Sequence, residues 1–229
     1  MDCEPFFGLN RQGGRLVRAS LGANRFYNPP MDDWVQRAMQ RWPNVPALFG
    51  WLALDRRGRW LVRGERITHP RIIATIDRNY AGDEHGRWFF QNGPQRGYMA
   101  LAGAPYVLRA EGASLVTHNG LPVERISSAY IDEEGAITLA TEHGPGELLG
   151  ADLEWALQRL RKTGEPVDEE QLADVLAAPS GELTTLALEI EGAALPLIRL
   201  DYADAPAHLG FERDPQPHPG ERTSAGAPD

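Results

Sequence analysis

The chain has 229 residues, 42% of them hydrophobic and 24% charged, with a formal net charge of −9 and an isoelectric point near 5.2. That is ordinary globular composition, long enough for one or two domains with a real core. The acidity argues against a general nucleic-acid or anionic-membrane binder, and a single cysteine, Cys3, excludes an internal disulfide and a cysteine-based zinc site.

Residues 1–30 mix Gly, Arg and Asn without periodicity, and a disordered N-terminal extension is expected there. No apolar run suits a signal peptide or a membrane span, so the expectation is a soluble, cytoplasmic protein. Met31 stands at a sharp change in character and is a candidate translation start. Asp32 or Asp33 caps a short helix with Trp34, Val35, Ala38, Met39 and Trp42 on one face, which Pro43 and Pro46 end.

Two strands, Ala47–Asp55 and Arg59–Arg63, then flank an Arg56-Arg57-Gly58 turn. Thr68-His69-Pro70 opens a helix that Gly82 ends, with Ile72, Ile73, Ile76 and Tyr80 inward and Asp77 outward. A strand from Arg87 to Gln91 meets Asn92-Gly93-Pro94, where the proline predicts a loop longer than two residues. Further strands are expected at Gly97–Leu101, Tyr106–Ala110, Ser114–Thr117, Ile126–Ile131 and Ala136–Thr141. Asp152 caps a helix predicted to run to Lys162 and to stop at Gly164. Asp168 caps another, Glu169–Ala177, and Glu182–Glu191 with Leu195–Asp201 form a closing hairpin.

The fold class expected is α+β, mostly antiparallel sheet with a few helices packed on one side. Residues 31–150 form an N-terminal domain, 151–212 a smaller C-terminal part, and 213–229 a disordered tail rich in Pro, Gly and Ser. One phrase recurs: Asp55-Arg-Arg-Gly58-Arg-Trp60, Asp83-Glu-His-Gly86-Arg-Trp88, and a weaker Asp132-Glu-Glu-Gly135-Ala-Ile137. Asp starts such a turn and Gly takes its positive-φ position. The repetition has two readings: convergence on a good turn, or an internal repeat with one copy ending before Tyr80 and the other at Lys162. Trp60 and Trp88 open strands and are expected in the core.

These elements, together with Ile-Thr-His-Pro and Gln-Asn-Gly-Pro-Gln-Arg, resemble an uncharacterised proteobacterial family of unknown function across Trp42 to about Leu160. The order of elements is also similar to a second bacterial family of unknown function. That resemblance implies a two-part α+β fold with repeated units and a link to signalling or ligand binding. It supplies no catalytic residues.

No nucleophile elbow, phosphate loop, dinucleotide fingerprint or metal-ligand spacing is present, so no cofactor and no metal are expected. The candidate site is the loop Gln91, Asn92, Gln95 and Arg96, with Tyr98 beside it and His69 and Tyr80 extending it. Bidentate donors next to flat aromatic walls suit a small polar or anionic ligand, or a protein partner. Turn chemistry offers a plainer reading, in which Gln and Asn bond their own backbone. The function expected is a non-enzymatic binding or regulatory module. One rival is a hydrolase-like enzyme using His69, His118 or His143 as acid–base groups. Another is an assembly partner that docks through the acidic helices between Asp152 and Ala177.

Overall fold

All three Asp-x-x-Gly phrases fold alike. One oxygen of Asp55 accepts from the N–H groups of Arg57 and Arg59, Asp83 from His85 and Arg87, and Asp132 from Glu134 and Ala136. Every one of these bonds is 2.8–3.0 Å long. Gly58, Gly86 and Gly135 hold φ of 72°, 82° and 85°, where a side chain would be strained. The computed structural model, which describes residues 31–42 and 45–223, shows what these turns connect. The N-terminal extension and the candidate start lie outside the described residues, apart from Met31 itself.

Helix α1 (Asp33–Arg41) precedes three strands, β1 (Leu48–Leu54), β2 (Trp60–Val62) and β3 (Glu65–Arg66). Helix α2 (Pro70–Arg78) leads to β4 (Tyr80–Gly82), β5 (Trp88–Asn92) and β6 (Gln95–Leu101). These strands form one sheet in the order β3-β2-β1-β6-β5-β4, antiparallel except for β1 against β6.

The chain then builds β7 (Tyr106–Glu111), β8 (Ser114–Thr117), β9 (Pro122–Val123), β10 (Ile126–Ile131), β11 (Ile137–Thr141) and β12 (Gly144–Leu148). After a 3-10 turn come α3 (Leu153–Leu157), β13 (Leu160–Lys162), β14 (Glu165–Pro166) and α4 (Glu169–Leu176). The hairpin β15 (Leu183–Ile190) and β16 (Ala193–Arg199) and helix α5 (Ala205–Leu209) complete the set. The second sheet runs β14-β13-β15-β16-β10-β11-β12-β7-β8-β9. Strands on both sides of residue 150 pair within it, so the change of texture there is not a sheet boundary.

The internal repeat reaches well beyond the turns. Inside the second sheet, β12-β11-β10-β16-β15-β13 repeats β3-β2-β1-β6-β5-β4 strand for strand, including the central parallel pair, here β10 with β16. In both copies a helix links the third strand to the fourth, α2 in one and α3 in the other. The exits also match: Ala102 N–H donates to Leu54 at 3.0 Å, and Leu200 N–H to Ile131 at 2.9 Å. The second copy adds β14 and α4 as an insertion, and β7–β9 as an extension of its β12 edge.

Several elements depart from the sequence reading for identifiable reasons. The helix expected to reach Lys162 stops at Leu157. Thr163 and Gly164 take φ of 53° and 89°, a tight hairpin turn that draws Leu160–Lys162 into β13. Asp152 does not cap α3, because its carboxylate accepts from Ala110 N–H at 3.0 Å. Helix α2 likewise ends at Arg78, so Tyr80 opens β4. Ile72 is exposed, whereas Asp77 turns inward and accepts from Trp60 Nε1 at 2.8 Å. Gly93 and Pro94 make a two-residue turn between paired Asn92 and Gln95. Gly93 takes φ 57°, and the fixed φ of proline suits the second turn position.

Trp60 and Trp88 are buried, as expected, in one core shared by both sheets. The outer face of the first sheet carries a smaller cluster, Ala47, Ala81, Phe89 and Tyr98, with Phe49 stacked on Tyr98 at 4.4 Å. Residues 213–223, expected as a disordered tail, form a strap on that sheet. Leu101 N–H donates to Arg213 at 2.7 Å, Ala47 bridges Thr223, and Arg87 Nη1 binds Glu221 at 2.8 Å. Low apolar content misled the reading, because polar anchors hold this segment.

Two predictions follow from this packing. A side chain at Gly86 would strike the Gly210 carbonyl and Phe211 Cα, whereas one at Gly64, with φ 80°, meets nothing within 4 Å. Urea denaturation should show Gly64→Ala losing about 1 kcal/mol and Gly86→Ala losing roughly 3 kcal/mol or more. Burial alone would raise the carboxyls of Asp83 and Glu221, but Arg87 and backbone N–H groups bring both below their ordinary values. Depressed carboxyls give stability that is present above the unfolded range and lost as pH falls through the folded values. Amide NMR signals of Ala47 and Thr223 should therefore hold steady at neutral pH and shift together on acidification below the ordinary carboxylate range.

Candidate functional site

The β5–β6 hairpin holds out the residues singled out by sequence. Gln91 is buried and donates to Gly93 O at 2.9 Å, and its carbonyl accepts from Arg96 Nε at 3.2 Å. Gln95 Nε2 donates to Pro46 O at 3.1 Å. The plain turn-chemistry reading thus accounts for Gln91, whereas Gln95 ties the hairpin to the segment before β1. Arg96 remains: its guanidinium lies 4.4 Å from the Phe89 ring centre, and among the described residues no carboxylate pairs with it.

Arg96 opens onto a groove of about 470 Å³. One wall is α1 and its exit (Met39, Trp42, Val45), another is the hairpin (Gln91, Pro94, Arg96), and the third is the strap (Gly220, Glu221, Arg222). Trp42 is 52% exposed here although the helix pattern placed it inward. The acid in this lining, Glu221, is bound to Arg87.

Tyr98 supports the groove from below without lining it. Its hydroxyl accepts from Arg87 Nη2 at 2.9 Å and donates towards Asp83 at 3.2 Å. Burial raises its phenol above the ordinary value, so it stays protonated as a donor. Tyr80 belongs to the core and donates to Pro105 O at 2.9 Å. Asn92 is the exposed last residue of β5, paired with Gln95. Exposed His69 starts α2 without a side-chain cap bond. The other end of that helix meets the hairpin, where Gln91 N–H donates to Asn79 O at 2.9 Å. The candidate residues therefore split: Arg96 and Gln91 reach the groove, Tyr98 braces it, and His69 and Tyr80 lie elsewhere.

The histidines offered for acid–base work have other surroundings. His118, half-buried as a residue, packs its ring against Trp60, Tyr80 and Tyr106, and burial of that ring lowers it to about 3, so it is neutral at physiological pH. Its Nε2 and the Tyr106 hydroxyl lack hydrogen-bond partners among the described residues. His143 flanks the same Tyr106 ring and approaches Pro122 O at 2.8 Å. No group of three His, Cys, Asp or Glu side chains among the described residues is placed to hold a metal ion.

A second polar cluster sits where the two sheets meet. Arg56 pairs with Glu147 at 3.3 Å, and Tyr202 is sandwiched by Arg56 and Arg213, whose guanidinium carbons lie 4.8 and 3.4 Å from its ring centre. Burial raises Glu147 above its ordinary value, with Arg56 opposing and Asp132 adding to the shift. The cavity beside them, about 10 Å³, has room for roughly one water molecule. That size suits a hydrated seam better than a ligand site.

Sequence reasoning missed Arg87, Glu221 and Arg222. Arg87 stood in the repeated phrase, but nothing in the polar tail marked Glu221 as its partner.

A family profile described as "Protein of unknown function (DUF2946)" matches residues 31–216. The curated proteins gave no match. Among solved structures, the chain is similar to a DUF1285 family protein from Silicibacter pomeroyi DSS-3. The identity is 13% and the TM-score 0.45, over 68% of this chain and 85% of that one. A DUF1285 family protein from Shewanella baltica OS155 is 15% identical with TM-score 0.35, over 45% of this chain and 87% of that one. Since the profile spans most of its length, the chain belongs to this family of proteins of unknown function.

Proposed function

We propose that the protein is a non-catalytic binding module whose site is the groove between α1, the β5–β6 hairpin and the strap. Its ligand joins an apolar body to an anionic group. A cytoplasmic setting fits the single cysteine, since such proteins keep their thiols reduced.

The observation that carries this reading is Arg96 at the groove wall, paired with no carboxylate among the described residues, in a groove shared with Trp42, Met39 and Val45. A half-buried guanidinium forms strong charge-assisted bonds, each contributing about 1.5–3 kcal/mol. Stacking on Phe89 and the bond to Gln91 fix its direction before a ligand arrives, which lowers the ordering cost of binding. The groove volume lies in the range of small-molecule sites, and its mixed lining suits an amphipathic anion.

Octanoate is the simplest probe of that chemistry. Titrated into the protein, it should change tryptophan fluorescence saturably through Trp42. Arg96→Gln should weaken it about tenfold or more while the urea midpoint stays close to that of the parent. Loss of folding in Arg96→Gln would make Arg96 structural, and a linear, unsaturable response to octanoate would remove the site.

A further inference from the structure

Charge is divided unevenly along the chain. Residues 31–101 hold eleven arginines against seven acids, and residues 102–229 hold eight basic residues against twenty-three acids. Within the first half several acids are already engaged: Asp32 by Arg78, Asp55 by Arg59 and Asp83 by Arg87. Arg37, Arg41 and Arg96 have no carboxylate within 4.0 Å among the described residues, and all three belong to α1 or the hairpin beside it.

The apolar surface there exceeds the groove. Trp34 and Trp42 are 45% and 52% exposed, two helical turns apart on α1 with Ala38 between them. At 1.5 Å per residue they stand about 12 Å apart along the helix. Trp42 lines the groove, while Trp34 lies over the hairpin turn, within 3.5 Å of where a side chain on Gly93 would be. Arg41 stacks on Trp42 at 4.8 Å, and its charge faces outward. A small anion in the groove reaches Trp42 and Arg96 but leaves Trp34, Arg37 and Arg41 uncovered.

We infer that α1 and the groove form one docking surface for an acidic segment of a partner protein, which sets an apolar side chain into the groove and its carboxylates on Arg37, Arg41 and Arg96. This rests on the groove being a binding site, as proposed above. Charge complementarity selects the occupant. Paired aromatic and arginine side chains are the anchors that such interfaces concentrate their binding energy on. An anionic bilayer fits less well: the apolar lining is concave, and the acid-rich second half of the same chain would be repelled from it.

A random peptide library displayed on phage and panned on the full-length protein at low salt tests this. Enriched peptides should be net acidic with an aromatic or leucine residue, and their synthetic forms should compete with octanoate. They should bind the Arg37→Glu/Arg41→Glu variant and Trp34→Ala each about tenfold more weakly, and weaken as salt rises. Neutral or basic enrichment, or peptide affinities unmoved by both variants, overturns the inference. Binding of phosphatidylserine vesicles in place of peptides also overturns it. Octanoate is titrated into the unmodified protein in parallel. Saturable octanoate binding without peptide enrichment sinks this inference alone, whereas absence of octanoate binding sinks the reading of the groove.

Discussion

One buried guanidinium, that of Arg87, ties the end of the chain to its first sheet. It binds Asp83 at 2.8 Å, Glu221 at 2.8 Å and the Tyr98 hydroxyl at 2.9 Å, and lies 4.5 Å from the Tyr98 ring centre. A charge with 5% of its side chain exposed is costly unless it is paired and hydrogen-bonded, and two carboxylates meet that need here. Because one of them lies on the strap, the strap cannot leave without stranding the charge. The groove depends on this bond, since Gly220, Glu221 and Arg222 are its third wall.

The repeated plan explains why the groove belongs to one half of the molecule. In the first two turn phrases an arginine follows the glycine and folds back on the aspartate. Arg59 does so on Asp55 and Arg87 on Asp83. The third phrase has Ala136 at that place, beside the one-water cavity at the seam. Both copies share strand order and central parallel pair, but only the first carries a fold-back arginine that also holds a distant segment. The second copy has the β14 and α4 insertion at the place of the β4–β5 turn that carries Arg87, so this anchor for the strap belongs to the first copy.

Much of this was legible in the sequence because it rests on local chemistry. Asp and Gly at fixed spacing gave the three turns, proline at the first turn of α2 marked its start, and Asp168 with Gln171 forms the capping box that starts α4. What stayed hidden depends on contacts distant along the chain. Leu153, Ala156, Leu157 and Leu160 have helical spacing, yet Leu160 is held in β13 by pairing with Leu188. Strands of two or three residues, such as β3 and β4, carry no period at all. Arg96, now seen on the groove wall, was singled out because donors beside aromatics are a chemical pattern. Tyr80 was misjudged because α2 ends early, and the strap was missed because polar anchors leave no apolar signature.

Arg87 holds the strap, and the strap completes the groove. Hydrogen exchange read by mass spectrometry on Glu221→Gln tests that link directly, since the variant keeps the side chain's shape and removes the charge Arg87 binds. Faster exchange confined to residues 213–223 and the neighbouring groove wall, with unchanged protection in β10, β11 and β16, is the predicted result. Protection of 213–223 equal to that of the parent protein would contradict it.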